Sequence, residues 1–190
     1  MKLKDLIKEP PVVKKEDLKK HNPPEPNFKN NSDNEKYKAP WKKYEVRVFD
    51  FLSKKKKALG IKEIRRFKNL LVDGALILDD DTCLLLEIKY VLGWLKACNA
   101  RIQFEQFVCD PEYYGKAEIS EPEGGVLIFN KFNEDWGAIP IKLNFKQGWR
   151  EYYNAEEHLR KSLRVKTSLI QIDDKENAFI FVKGETRKLC

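Results

Sequence analysis

The stretch 69–90, NLLVDGALILDDDTCLLLEIKY, decides the fold and holds the residues of most chemical interest. Asp73 ends a short apolar run, and Glu87, Ile88 and Lys89 lie inside a second run, beginning fourteen residues later. Both runs are otherwise apolar on both faces, which is typical of strands buried at the centre of a sheet. Burying three ionisable side chains together costs free energy unless they pair, bind a cation or take part in chemistry. The stretch therefore predicts two core strands that carry a functional site.

The loop between the two runs sets how the strands pair. It consists of Asp79–Asp81, and aspartate favours turns because its side chain bonds nearby backbone groups. With these three residues as the loop, Leu78 pairs with Thr82, and Asp73 lies opposite Glu87 on one face of the sheet. A shift of one residue would move Asp73 to the other face, so the prediction depends on the loop length.

Two carboxylates that converge across a hairpin make an oxygen-rich site for a hard cation such as Mg²⁺. Lys89 lies two residues beyond Glu87 on the same face, where it can position a water or stabilise negative charge on a phosphate. This combination resembles the PD-(D/E)XK nuclease superfamily, which has the restriction-endonuclease-like fold. The matching residues are Val72-Asp73 and Glu87-Ile88-Lys89, with Val72 in place of the family's proline.

The resemblance implies a Mg²⁺-dependent endonuclease that acts on DNA, with Mn²⁺ able to substitute for Mg²⁺. It gives catalytic roles to Asp73, Glu87 and Lys89. The metal ligands would be Asp73, Glu87 and the main-chain carbonyl of Ile88. Many nucleases of this fold act as dimers, so a homodimer is an open alternative to a monomer.

Glu45 is a further candidate for the same site. It lies on a predicted helix, on one stripe with Trp41, Val48, Phe49 and Leu52, so its carboxylate interrupts an apolar face and should point inward. The family commonly carries a glutamate on the helix before the hairpin. The resemblance therefore implies that Glu45 is a metal ligand or a neighbour of the ligands.

Gln103 is the weaker candidate, as the glutamine that members often carry on the helix after the lysine strand. Its side of that helix is polar, so an ordinary solvated face is the alternative.

The signature residues also have structural alternatives. Asp73-Gly74 is a common turn pair, and Glu87 with Lys89 could be a solvated ladder on an edge strand.

The chain has 37 basic and 30 acidic residues, a formal net charge of +7. A block from Lys42 to Lys68 holds eleven Lys or Arg against three acidic residues, so the remainder is nearly balanced. This block flanks the predicted site and suits a protein that binds a polyanion. Lys54, Lys55, Lys56, Lys57, Arg65 and Arg66 are the residues expected to bind the DNA backbone. Alternatively, the four lysines only solubilise a helix end and complement its dipole.

The sequence predicts two parts. Residues 1–40 contain six of the nine prolines and no glycine, which favours an extended or disordered arm without a core. Residues 41–190 alternate strand and helix patterns, including a helix over 150–163, and predict an α/β domain with a central mixed β-sheet flanked by helices. The resemblance makes this the nuclease-like domain.

The remaining composition restricts the function class. The four cysteines lack metal-ligand spacing, and two histidines give little material for a zinc site or a Ser-His triad. No export signal or long apolar segment is visible, which predicts an intracellular, soluble protein without membrane contact, cytoplasmic if the source is prokaryotic. Two alternatives stay open: an inactive nucleic-acid-binding module of the same fold, and an assembly factor that uses the arm.

Overall fold

A seven-stranded mixed β-sheet forms the centre of the protein in a computed structural model. The structure describes residues 2–6, 40–133, 165–182 and 185–189. The strands are β1 (Ile61–Arg66), β2 (Gly74–Leu78), β3 (Cys83–Leu92), β4 (Gly124–Phe132), β5 (Lys166–Ile172), β6 (Ala178–Val182) and β7 (Glu185–Lys188). The helices of these ranges are α1 (Leu3–Leu6), α2 (Pro40–Leu59), α3 (Trp94–Cys109) and α4 (Pro111–Ala117).

The strands follow one another across the sheet in chain order. Strands β1 to β3 are antiparallel, β3 to β5 are parallel, and β5 to β7 are antiparallel again. Parallel neighbours need a crossover connection, and α3 and α4 lie in the connection between β3 and β4. The predicted α/β class with a central mixed sheet and flanking helices is confirmed, and the restriction-endonuclease-like type stays a prediction. The helix predicted over 150–163 lies outside the described residues.

The β2–β3 hairpin has the predicted register. The Leu78 N–H donates to the Thr82 carbonyl over 2.9 Å, and the ladder continues to the pair Gly74 and Leu86. The ladder ends at this pair, and the Asp73 N–H donates to the Leu86 carbonyl over 3.0 Å, which places Asp73 beside Glu87. The loop of three aspartates therefore sets the pairing that brings the two carboxylates together.

Two apolar layers cover the sheet. One face packs against α2 through buried residues such as Val48, Leu52 and Leu86, and the Tyr44 hydroxyl ties this helix to the Ile172 carbonyl over 3.0 Å. The other face packs against α3 and α4 in clusters that include Leu85, Phe104, Phe107 and Phe129. Both faces of β3 are covered along most of its length. A polar side chain in the covered part of this strand is therefore buried.

Residues 2–6 pack on the domain, which the prediction of a separate arm did not anticipate. Leu3 is 1% exposed and belongs to the core cluster under α2. Lys2 and Lys4 pair with Asp79 and Asp80 of the hairpin loop over 3.2 and 3.4 Å. The arm prediction therefore does not hold for these residues, and for 7–39, which lie outside the described residues, it stays a prediction.

We expect Leu3→Ala to lower the free energy of unfolding by about 2–4 kcal/mol, because it removes a buried side chain from the core. Urea denaturation followed by circular dichroism measures the change. The matched control is Lys4→Ala, which removes an exposed ion pair and should cost less than about 1 kcal/mol. Equal effects of the two substitutions would show that the N-terminus is not anchored through Leu3.

Candidate active site

A part of β3 that has no partner strand on one side, among the described residues, forms the centre of the site. The described ladder between β2 and β3 ends at Gly74 and Leu86, whereas β3 continues beside β4 to Leu92. A pocket of about 440 Å³ is lined by the consecutive residues 87–91. Successive side chains of a strand point to opposite faces, so a pocket lined by five in a row runs along the strand's uncovered edge.

The other walls come from three separate elements. Pro40, Trp41 and Glu45 contribute from the first turns of α2, Asp73 from the residue before β2, and Lys96 from the first turn of α3. Five of the residues predicted for the site therefore meet in one pocket. They are Glu45, Asp73, Glu87, Ile88 and Lys89.

Asp73 is held in place by the main chain of β3. Its N–H donates to the Leu86 carbonyl over 3.0 Å, and its Oδ2 accepts the Ile88 N–H over 2.7 Å. In the hairpin register the Ile88 N–H would otherwise bond the Val72 carbonyl, so a side chain takes over where the ladder ends. A carboxylate has several lone pairs, so the bond orients Asp73 and leaves acceptor capacity for a cation.

Gly74 explains why the aspartate is followed by glycine. It is the first residue of β2, and a Cβ at this position would lie 2.3 Å from the Arg65 carbonyl oxygen of β1. Gly74 therefore begins the strand, and Asp73 lies in the bend that directly precedes it. A larger residue would push β1 and β2 apart beside Asp73.

Glu87 is the most deeply buried charged side chain of the site, at 3% exposure. Its Oε1 forms a close ion pair with the Lys89 ammonium, and within the described residues its Oε2 has no hydrogen-bond partner. Burial, with the neighbouring Asp73 charge, raises the pKa of Glu87 to about 7, and Lys89 opposes both effects. Burial also raises the pKa of Asp73, against the Ile88 N–H and Lys89.

Glu45 points inward, as its position on the helix predicts. Its side chain is 18% exposed, and its Oε1 accepts from Nη2 of Arg66 over 2.7 Å. Its charge contributes to the raised pKa of Asp73, and the Arg66 charge acts in the opposite direction. Glu45 and Arg66 are therefore an ion pair at the wall of the pocket.

Gln103 lies outside the pocket and contacts the segment that leads to Asp73. Its Nε2 donates to the Leu71 carbonyl over 2.8 Å, two residues before Asp73. The side chain is half-buried, so the solvated face considered for it does not describe its surroundings. Its contact suits a positioning residue for the segment that carries Asp73, and a catalytic role for it stays a prediction.

The six basic residues predicted to bind DNA are not brought together. Arg66 faces Glu45, whereas Arg65, one residue away on the strand, points to the opposite face and donates to the Glu118 carbonyl. The lysines 54–57 follow Glu45 on α2 by nine to twelve residues, which is about 14–18 Å along a helix axis. Lys54 pairs with Glu176 over 3.8 Å. Their contact with DNA stays a prediction.

The sequence did not predict five of the pocket residues for the site, namely Pro40, Trp41, Tyr90, Val91 and Lys96. Trp41 was assigned to the apolar stripe of α2, yet its side chain is 53% exposed. Tyr90 directly follows Lys89 and packs edge-on against Tyr44 at 5.8 Å between ring centroids. Lys96 is exposed. The break in the β2 ladder creates the opening between them, and strand patterns do not reveal where a partner strand stops.

The donor set fits Mg²⁺ in one respect and is sparse in another. The described ranges contain no group of three His, Cys, Asp or Glu side chains that could hold a metal ion. Mg²⁺, however, usually keeps several waters and takes only one or two protein carboxylates. Asp73, the unpartnered Oε2 of Glu87 and the carbonyl of Ile88 would suit this mode of binding.

A comparison of the sequence with models of known families and with curated proteins finds no match. In the residues that the structure describes, none of the helices is both long enough and apolar enough to cross a lipid bilayer.

The raised pKa of Glu87 predicts how stability changes with pH. In metal-free protein this group contributes stability below its unfolded pKa of about 4.5, and the contribution is lost as pH rises through about 7. We expect the free energy of unfolding to fall by up to about 3 kcal/mol over this range from Glu87 alone. Urea denaturation in EDTA from pH 5 to pH 8 measures it.

Glu87→Gln is the matched comparison for the pH prediction, because it removes the titration and keeps the shape. The variant should be more stable than the wild type at pH 8 and close to it at pH 5. A constant difference between the two proteins over this range would contradict the assignment of the buried charge to Glu87.

We expect Gln103→Ala to lower the free energy of unfolding by about 1 kcal/mol and to weaken Mg²⁺ binding, because the Leu71 carbonyl loses its donor and the segment before Asp73 loosens. Isothermal titration calorimetry measures the affinity. Gln106→Ala on the exposed side of α3 is the control and should leave both quantities unchanged. An unchanged Mg²⁺ affinity in the Gln103 variant would restrict this residue to a role in folding.

Proposed function

We propose that this protein is a Mg²⁺-dependent endonuclease that hydrolyses phosphodiester bonds in DNA. The observation that carries the proposal is the buried Glu87 carboxylate. It lies opposite Asp73 in a pocket, with one oxygen on Lys89 and the other without a hydrogen-bond partner among the described residues. A buried acceptor with no donor costs free energy, and a cation bound there would remove that cost.

The chain's own residues supply the ligands and a cation beside them. Asp73, Glu87 and the Ile88 carbonyl would hold Mg²⁺, which supplies Lewis-acid stabilisation of phosphate charge and makes water a competent nucleophile near neutral pH. The Ile88 N–H orients Asp73 for this task. Because the pKa of Glu87 is about 7, this carboxylate can hold a proton near neutral pH, and the proton would leave when a cation binds.

Lys89 would act on the substrate side of the ligands. It is 25% exposed and carries three N–H donors, of which one binds Glu87. The others can reach an attacking water or a phosphate oxygen, where a positive charge stabilises the charge that develops during hydrolysis. Glu45 would be a further ligand or would anchor the ligands. Its negative charge is balanced by the ion pair with Arg66.

The test is cleavage of supercoiled plasmid and branched DNA in Mg²⁺, Mn²⁺ or EDTA. We expect cleavage in Mg²⁺ and Mn²⁺ and none in EDTA. Lys89→Ala should lower the rate by about 100-fold or more, because it removes charge stabilisation at the scissile phosphate. The control is Lys116→Ala, which removes an exposed lysine of α4 and should leave the rate unchanged.

Intact DNA under every condition, with equal binding by the wild type and the Lys89 variant, would overturn the proposal. That result would favour the alternative of a nucleic-acid-binding module without catalysis. Cleavage that persists in EDTA, or that is unaffected in the Lys89 variant, would also contradict the assigned site.

A further inference from the structure

Trp41 is an indole exposed on the wall of a charged pocket. Its side chain is 53% exposed, and it shares the pocket with Asp73, Glu87 and Lys89. Val46, on the same helix, is exposed to a similar extent, 47%, but does not line the pocket. An exposed aromatic ring beside a polar site suits a ligand that offers both a flat apolar face and a charged group.

The surroundings of Trp41 favour a nucleotide as this ligand. The Lys42 ammonium lies 5.3 Å from the centroid of the indole ring, which places a positive charge beside the stacking surface. Trp41 precedes Glu45 by four residues, so the two side chains lie one helical turn apart, about 6 Å. A base stacked on Trp41 would hold its phosphate between this turn and the carboxylates. Aromatic stacking combined with nearby cations is how proteins bind unpaired bases.

A paired duplex does not offer such a base. Inside a duplex both faces of each base are covered by its neighbours, so the indole could stack only on a base that is unpaired or extruded. The lysines 54–57, which could hold a long duplex backbone, lie about 14–18 Å along α2 from Glu45. The cations nearer to Trp41 are Lys89 and Lys96, which line the pocket, and Lys42, which lies over the indole ring.

We propose that the pocket receives an unpaired nucleotide stacked on Trp41, and that the substrate is DNA with a single-stranded segment beside the scissile phosphate. The inference rests on the proposed nuclease function and specifies its substrate class. Trp41 is then a specificity-determining residue, and Lys42 lies over its ring.

The experiment measures two things with the full-length protein. Fluorescence anisotropy in EDTA gives the affinity for a labelled single strand and for the same strand in a blunt duplex. Cleavage of both DNAs in Mg²⁺ gives the specificity constant for each. We expect the wild type to prefer the single strand. Trp41→Ala should weaken single-strand binding about tenfold and leave duplex binding unchanged, because one stacked base is lost.

Two further variants keep the test sharp. Trp41→Phe retains an aromatic face and should keep most of the affinity for the single strand. Val46→Ala removes an exposed apolar side chain from the same helix and should have no effect. Thermal melting of each variant checks the fold, and if the alanine variant does not fold, the preference of the wild type for the single strand over the duplex decides the substrate class.

The outcomes separate this inference from the function on which it rests. Cleavage that depends on Mg²⁺ and Lys89, but prefers duplex and is indifferent to Trp41, would overturn the substrate class and leave the nuclease in place. A Trp41→Ala variant that loses single-strand and duplex affinity equally would also overturn it. A wild type that neither binds nor cleaves any DNA would overturn both proposals.

Discussion

The cost of burying the Glu87 carboxylate is the constraint on which the site depends. The charge is placed there by a hairpin register that the core of the sheet enforces, and the neighbouring Asp73 carboxylate adds to the cost. Lys89 and Arg66 offset part of this cost, since they bring two positive charges to three carboxylates. Because the pKa of Glu87 is raised to about 7, the pocket can hold a proton near neutral pH, and in the proposed function a divalent cation would replace that proton. A site of this kind exchanges one for the other as its ligand arrives.

Much of the fold could be predicted because local chemistry specified it. The loop Asp79–Asp81 fixes the hairpin register, since a two-residue side-chain period leaves no freedom once the loop length is known. The helical stripe through Val48 and Leu52 predicts which face of α2 is buried. The strand β7 and the short helix α4 were not predicted. Four and seven residues are too few to show a period, and α4 depends on the cap that Asp110 provides.

The inner residues of the site could be predicted better than its outer ones. Asp73 directly precedes β2, and Glu87 and Lys89 directly follow the part of β3 that pairs with β2, so their spacing in sequence becomes spatial proximity. The basic residues depend on tertiary direction. Arg65 and Arg66 separate because neighbouring side chains of a strand point to opposite faces, after a bulge between Ile61 and Glu63. The lysines 54–57 are close to the site in sequence, but a helix carries them away from it at a fixed rise per residue.

The open edge of β3 has a consequence for the behaviour of the chain in a crowded solution. Main-chain groups along a bare strand edge are a template onto which a strand of another molecule can add, and such addition is the first step of aggregation. Here the segment 87–91, which has no partner strand on this side among the described residues, contains Glu87 and Lys89. Charges on an exposed edge act as gatekeepers, because an added strand would have to bury them. Glu87 and Lys89 would thus also disfavour the addition of a strand from another copy of the chain.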